Sequence, residues 1–432
     1  MAKADSRRKA KVIGNGSAEG FLSENDVRDI VTRGLAGINL DGKKVLVLTP
    51  DSTRTAPLPM FFRLLVELVR PRAARLDFLV ALGTHPLMSE ERTNLLFGIT
   101  AEERRAEFGG INIYNHAWND PAELEEIGTL STKTVERISG GLMSESVRVT
   151  INRRVLQYDE VLVVGPTFPH EVVGFSGGNK YFFPGVCGAE FLNFFHWLGA
   201  MITNVKIIGV KDTPVRRMIN EAMKFVPASR HCISLVVTVE GVKGVYVGRP
   251  EDTYSAAADL SAKVHIVYKP RRYKLVLSIA PEMYDDIWTA GKCMYKLEPV
   301  VEKGGRLIIY APHVSEISYT HGKVIDDIGY HCRDYFASQM EKFEGVPRGV
   351  MAHSTHVRGG GTYKNGVEKC NVDVVLATGI PEARCRKVNL GYKDPAKINV
   401  SEYEGREDEG VLVVHHAGEV LHRLESERPK QA

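Results

Sequence analysis

Phe168-Pro-His-Glu-Val-Val-Gly-Phe-Ser-Gly-Gly-Asn-Lys180 is the stretch whose reading decides the fold. It follows the apolar run Glu160-Val-Leu-Val-Val164, which reads as a buried strand closed by Gly165-Pro166. A loop carrying His170 comes next, then a glycine cluster at Gly174, Gly177 and Gly178. Glycine lets a backbone turn sharply and approach a ligand closely. Lys180 leaves the loop, and Gly188 to Ala200 has a helical pattern, with His196 among Phe191, Phe194, Phe195 and Trp197. Strand, glycine loop and helix in succession gather two imidazoles and an amine around a turn built for close contact.

The same strand-then-helix alternation runs outward from this stretch. Lys44-Val-Leu-Val-Leu48 predicts a strand, Thr49-Pro-Asp-Ser-Thr-Arg54 a loop, and Pro57 the start of a helix with Phe61, Leu65 and Leu68 on its buried face. Leu76 to Leu82 is a second strand, ending in Gly83-Thr-His85, and Ser89 caps the helix after it. Gly110-Ile-Asn-Ile-Tyr114 is a third, followed by Asn115-His116. Alternation of this kind implies a parallel, doubly wound sheet. Asp51, Arg54, His85, His116 and His170 all fall just past the C-terminal ends of these strands. Ligands of such sheets bind in the crevice outside those ends, so residues distant in sequence meet along one rim.

Beyond Asn220 the pattern changes. His231 to Val239 and Gly244 to Val247 predict an antiparallel pair, Thr253 to Lys263 a helix and His265 to Tyr268 a strand. The polar segment Lys269-Pro-Arg-Arg-Tyr-Lys274 marks a boundary, giving an N-terminal α/β domain over 1–269 and a C-terminal one over 270–432, whose last residues pack back on the first. The second unit opens with Leu275 to Ile279. A helix over Asp285 to Lys303, a strand from Arg306 to Tyr310, a helix near Asp327 to Phe343 and strands at Val372 to Ala377 and Gly410 to Val414 follow. The expected class is two α/β domains with mainly parallel sheets and the active site in the cleft between them.

With 432 residues, 44% of them hydrophobic, the chain can bury more than one core. A formal net charge of only +3 points to neither nucleic acid nor an anionic membrane as partner. Met1 to Lys11 is basic, but no apolar run follows Arg7-Arg8, so no leader is expected. No apolar run reaches the roughly 20 residues of a membrane span. Six scattered cysteines without a C-x-x-C pair suit reduced thiols and a cytoplasmic location.

The pattern His-x-x-x-Gly-Phe-Ser-Gly-Gly-x-Lys, then Pro-Gly, then a later histidine, stands here as His170, Gly174 to Gly178, Lys180, Pro184-Gly185 and His196. It resembles the nickel-dependent lactate racemase family. The likeness implies a nickel-pincer nucleotide attached covalently to Lys180, with Gly177 and Gly178 beside it, His196 completing the nickel coordination, and two histidines as acid and base. The matching positions for those two are His170 and His116. Histidine's ordinary pKa near 6.5 suits such work, and inverting a stereocentre needs a group for each face. Nickel accepts imidazole nitrogen and sulfur ligands in planar geometry. The resemblance further implies separate enzymes that make and load the cofactor, and a homo-oligomer is compatible with it.

Asp51-Ser-Thr-Arg54 resembles the family's Asp-x-Thr-Arg motif, and arginine's planar fork suits a substrate carboxylate. Trp288-Thr-Ala-Gly-Lys292 resembles its Tyr-Gln-Ala-x-Lys segment, placing Thr289 and Lys292 on substrate from across the cleft. Thr289 replaces a glutamine of the lactate enzymes, which leaves room for another 2-hydroxy acid or a sugar acid. Thr84-His85 is expected to make only a cap or loop hydrogen bond, and His313, His321, His353 and His356 face the cleft without assigned roles. The reading is a 2-hydroxy acid racemase or epimerase working by hydride transfer. The alternatives are a zinc hydrolase built on His116, His170 and His196, which lacks an H-E-x-x-H ligand pair and leaves Lys180 idle, and a non-catalytic binding protein for a nucleotide or sugar acid.

Overall fold

The computed structural model describes residues 12–428; the basic stretch Met1 to Lys11 lies outside them. The first sheet comprises β1 (Ile13–Gly16), β2 (Lys44–Thr49), β3 (Arg75–Val80), β4 (Ile113–Asn115), β5 (Glu160–Pro166), β6 (Ser229–Thr238) and β7 (Gly241–Gly248). Its spatial order is β1-β7-β6-β5-β2-β3-β4. From β6 to β4 every neighbour is parallel, and β7 and β1 add an antiparallel edge. β2 and β3 are buried over their last five residues, because helices cover both faces of a parallel sheet. That burial explains why they read as continuous apolar runs rather than alternating ones.

The second sheet runs β11 (Gly391–Tyr392), β10 (Val372–Thr378), β9 (Val301–Ala311), β8 (Tyr273–Ile279), β12 (Val411–Val414), all parallel. A short strand Ile266–Lys269 pairs in parallel with Leu421–Leu424, returning a late part of the chain to the segment that joins the two sheets. The α/β class with mainly parallel sheets is as the sequence indicates.

Several helices differ from expectation. The helix predicted over Asp285 to Lys303 is two single turns, Ile287–Ala290 and Lys292–Tyr295, and β9 already begins at Val301. The one predicted near Asp327 to Phe343 is interrupted at Gly329, whose φ of +71° no helix tolerates. An unpredicted helix, Arg348–Arg358, is buried from Gly349 to Val357. Buried on every side, it has no apolar stripe for a periodicity reading to find.

Within the first sheet β2 has β3 on one side and β5 on the other, so strand order reverses there. The loops leaving their C-terminal ends splay apart and open a crevice.

Candidate active site

A cavity of about 140 Å³ occupies that crevice, closed on its far side by Trp288 to Lys296 and by the helix Arg348–Arg358. At roughly 10–15 Å³ per water-sized occupant it admits a small organic molecule. From the sequence-derived set it gathers Asp51, Arg54, His170, Gly177, Lys180, His196, Thr289 and Lys292.

The glycine loop is shaped by steric necessity. Gly177 has φ +87°, and a Cβ there would fall 2.3 Å from Thr167 Oγ1; its backbone lines the cavity. Gly178, expected beside the cofactor, faces the other way. A Cβ on it would fall 2.9 Å from Tyr254 Cβ, so that glycine serves helix packing and does not line the cavity.

Lys180 ends the loop, and burial followed by the nearby Arg54 charge brings its pKa down to about 7. His196 lies two turns into the helix Ala189–Ile202, where its Nδ1–H donates to Leu192 O at 2.7 Å and its ring packs on Phe195 at 4.1 Å. That bond fixes the tautomer and leaves Nε2 as a free lone pair, the arrangement a metal-binding imidazole needs. Burial also lowers its pKa to about 4, keeping the ring neutral.

His170 is buried, and its Nδ1 accepts from Val172 N at 3.2 Å. In the neutral ring the proton therefore sits on Nε2. Glu171 Oε2 is 3.2 Å from the same Nδ1, ready to receive a proton there if the ring is charged. Burial first, then the cations Lys180, Arg54 and Lys296, hold the His170 pKa well below its usual value.

The expectation for His116 is not met. Its ring is fully buried away from the cavity, with Nε2 donating to Cys187 O at 3.0 Å and Nδ1 accepting from Asn152 Nδ2 at 3.2 Å. Both nitrogens are used and neither reaches substrate. The reason is topological: β4 is the edge strand, outside the reversal point. The same geometry removes the zinc ligand set of His116, His170 and His196.

His85 stands in the cavity instead, on the Gly83-Thr84-His85 turn after the more central β3. Its Nδ1 pairs with Asp51 Oδ2, so Asp51 orients this imidazole rather than meeting substrate. Asp51 Oδ1 is taken by the amide and hydroxyl of Thr53 at 3.1 and 2.7 Å. Burial opposes ionisation of Asp51, but His85 and Arg54 overcome it and hold the carboxyl well below its usual range. Thr289 also lines the cavity, but its hydroxyl is spent on Asp286 O and Oδ1 at 3.0 and 2.9 Å.

Sequence reasoning missed Glu171, Tyr295 and Lys296 on the cavity wall and gave His353 and His356 no role. The four-residue interval from Lys292 to Lys296 is a helical spacing that puts both amines on one face, a signal open to notice. Burial, opposed by Glu171 and Glu419 and aided by Arg54, lowers the Lys296 pKa to about 7. Arg54, Lys180, Lys292 and Lys296 together outnumber the acids Asp51 and Glu171 in the lining, which suits an anionic ligand. Lys292 also bridges the sheets, its Nζ donating to Thr53 O at 3.2 Å, and Lys296 Nζ donates to Glu419 O at 2.9 Å. Glu419 Oε1 in turn accepts from Thr55 N at 3.3 Å.

Fold and site define an α/β protein with a cation-lined, imidazole-bearing cleft between two mainly parallel sheets. A family model described as the lactate racemase N-terminal domain matches residues 27–207. A lactate racemase of Thermoanaerobacterium thermosaccharolyticum is 24% identical over 311 residues, covering 68% of this chain and 67% of that protein. A crystal structure of a Thermotoga maritima protein superposes with a TM-score of 0.85 at 33% identity, covering 94% of this chain and 99% of its own. The apoprotein of lactate racemase from Thermoanaerobacterium thermosaccharolyticum shares the fold at a TM-score of 0.69 and 18% identity, covering 98% and 97%. Residues 27–207 thus match the lactate racemase N-terminal domain, and the chain is similar to a lactate racemase over about two thirds of its length.

Proposed function

We propose that this protein racemises or epimerises a 2-hydroxy acid, with its own imidazoles moving the hydroxyl proton and a nickel-pincer nucleotide carried on Lys180. The observation that carries the reading is the meeting of His85, His170, Lys180 and His196 in one cavity. The residues fit such a group. With its pKa near 7, the Lys180 amine is substantially neutral at physiological pH and so nucleophilic. His196 offers a nitrogen lone pair, and Gly177 leaves backbone bare beside both. Bound there, the group would supply a hydride acceptor, the part of the chemistry no side chain can perform.

The rest falls to this chain's residues. Arg54 and Lys292 hold the substrate carboxylate, the guanidinium by its two-pronged fork. His85 directs Nδ1–H to Asp51 and keeps Nε2 as the acceptor for the 2-hydroxyl proton; the buried carboxylate steadies the imidazolium that forms. His170, neutral with its proton on Nε2, hydrogen-bonds the oxygen through that N–H, and the proton taken by His85 goes back to the oxygen when hydride returns to C2. Loss of the hydroxyl proton with hydride makes C2 planar, and hydride can then return to either face. Taking the C2 hydrogen as a proton instead would demand a carbanion from an unactivated carbon. Phe168, Trp288 and Tyr295 wall the cavity with aromatic surface and limit water. Separate enzymes make and load the cofactor in this reading, and the cytoplasm, where the unpaired cysteines stay reduced, is the expected compartment.

The test is racemisation of single enantiomers of lactate and 2-hydroxybutyrate in D₂O by protein produced together with the loading enzymes. Retention of hydrogen at C2 in the racemised product is the expected result. Deuterium entering C2 at the rate of racemisation would exclude hydride transfer, and no turnover by fully loaded protein on a panel of 2-hydroxy acids would refute the reading altogether.

A further inference from the structure

We propose that Cys332, Glu368 and Cys370 form a binding site for a divalent metal of zinc's class, separate from the cleft. Both sulfurs and a Glu368 carboxylate oxygen lie within 4.8 Å of one another. Tetrahedral zinc, at about 2.3 Å from sulfur and 2.0–2.2 Å from oxygen, wants ligand separations of roughly 3.4–3.8 Å. Closing the site therefore takes shifts on the order of an ångström. None of the three residues lines the active-site cavity.

The fold builds this cluster. Glu368 and Cys370 alternate on the strand Val367–Cys370 and so project to the same side. Cys332 caps the short helix Arg333–Ala337 after the turn at Gly329. It reaches the strand pair over Gly361, which lies directly opposite Cys370. A Cβ on Gly361 would fall 2.9 Å from Cys332 Cβ, so the bare backbone there is what lets the two sulfurs approach.

The surroundings match what a metal site needs beyond its ligands. Glu368 is held by Cys332 N–H on Oε1 at 2.7 Å, and by His331 Nδ1 at 2.7 Å and Asn389 Nδ2 at 3.3 Å on Oε2. His331 is itself stacked on Tyr335 with ring centroids 3.7 Å apart. Outer partners of this kind orient a ligating group and raise affinity. Two thiolates and a carboxylate around a divalent ion leave one net negative charge. Arg358, beside Cys370, offsets it, and its buried Nε has no hydrogen-bond partner among the described residues. Paired thiolates select zinc over magnesium or calcium. Cys332 is buried while Glu368 and Cys370 are half-buried, which gives an entry path and a place for water as fourth ligand. A bound ion would tie the strand pair to the helix Arg333–Ala337, beside which His331 N–H donates to Ser354 Oγ at 2.9 Å on the helix that carries His353 and His356 into the cleft wall.

The experiment titrates the full chain, without nickel cofactor and freshly reduced, with Zn²⁺ against a competing chelator, and measures retained metal by elemental analysis. Wild type and His196→Ala should each retain one equivalent. Cys332→Ser and Cys370→Ser should weaken binding at least about 100-fold, since losing even an outer partner costs about 10–100-fold. Labelling of Cys370, the half-buried cysteine of the six, gives a second readout independent of any variant's folding. Zinc should slow its reaction with a thiol reagent, and chelator should restore it. Zinc lost with His196 rather than with the cysteines, labelling indifferent to zinc, or a chain lighter by two hydrogens with Cys332 joined to Cys370 would each overturn the proposal.

Discussion

Replacing Lys180 by methionine should stabilise the protein that carries no cofactor, most strongly at neutral and acidic pH. The amine's pKa falls from 10.5 to about 7 on folding, chiefly by burial and then by the Arg54 charge. Because the folded pKa lies below the unfolded one, the cost of burying the cation is fully present below about pH 7. It is relieved progressively as pH rises towards 10.5. At about 1.36 kcal/mol per unit the ceiling is about 4–5 kcal/mol. Lys180 keeps some contact with solvent in the cavity, and screening reduces the expected effect to about 1–2 kcal/mol. Methionine is close in length and has no charge to desolvate. Thermal unfolding of the two unloaded proteins at about pH 6 and about pH 10 reads the effect directly. The variant's midpoint should be higher by a few degrees at the acidic end, with the difference shrinking at the alkaline end. A midpoint unchanged or lower near pH 6, or a gain that grows with pH, would refute the argument.

His85→Asn should lower kcat by about 10²–10⁴-fold with nickel content unchanged. His116→Leu should keep kcat near wild type but cost about 1–3 kcal/mol of stability, because the Cys187 carbonyl and the Asn152 amide lose their partner; steady-state kinetics beside a melting curve separate the two. His196→Ala should lose nickel by elemental analysis whereas His170→Asn retains it, and equal loss in both would mean that ligand and acid have been confused. Arg54→Lys keeps the charge but loses the fork, so kcat/KM should fall by about 10–100-fold; a near wild-type value would assign Arg54 to structure alone.

What the sequence disclosed of the site follows from where each residue sits in the sheet. The loops after β2 and β5 could be identified because apolar runs ended in Asp51, Arg54, His170 and Lys180, and those strands are neighbours. Choosing His116 over His85 went astray because chain order does not reveal spatial order. β5 inserts beside β2, which brings the turn after β3 to the crevice and leaves that after β4 outside. Gly178 misled for a simpler reason: a glycine required by a neighbouring helix looks the same in sequence as one required by a ligand. His353 and His356 lie on a helix buried on all sides, where no periodic pattern marks which face looks inward. The cost of ionising Lys180 and Lys296 also depends on how deeply the second sheet's loops cover them, which only the assembled fold reveals.

The contacts of Glu419 have a consequence for the order of events in biosynthesis. This residue, encoded more than two hundred codons after Lys180, touches both walls of the cleft through Lys296 and Thr55. A nascent chain that already displays Lys180, His85, His170, His196 and Arg54 still lacks the piece that latches one wall to the other. The pocket is therefore finished only after translation has passed Glu419, and chemistry at Lys180 on a chain still short of that point meets an open, wetter and less cationic surface. On the proposed function, loading would in this sense be a step suited to the completed polypeptide, with the late segment reporting to the early one that synthesis has gone far enough.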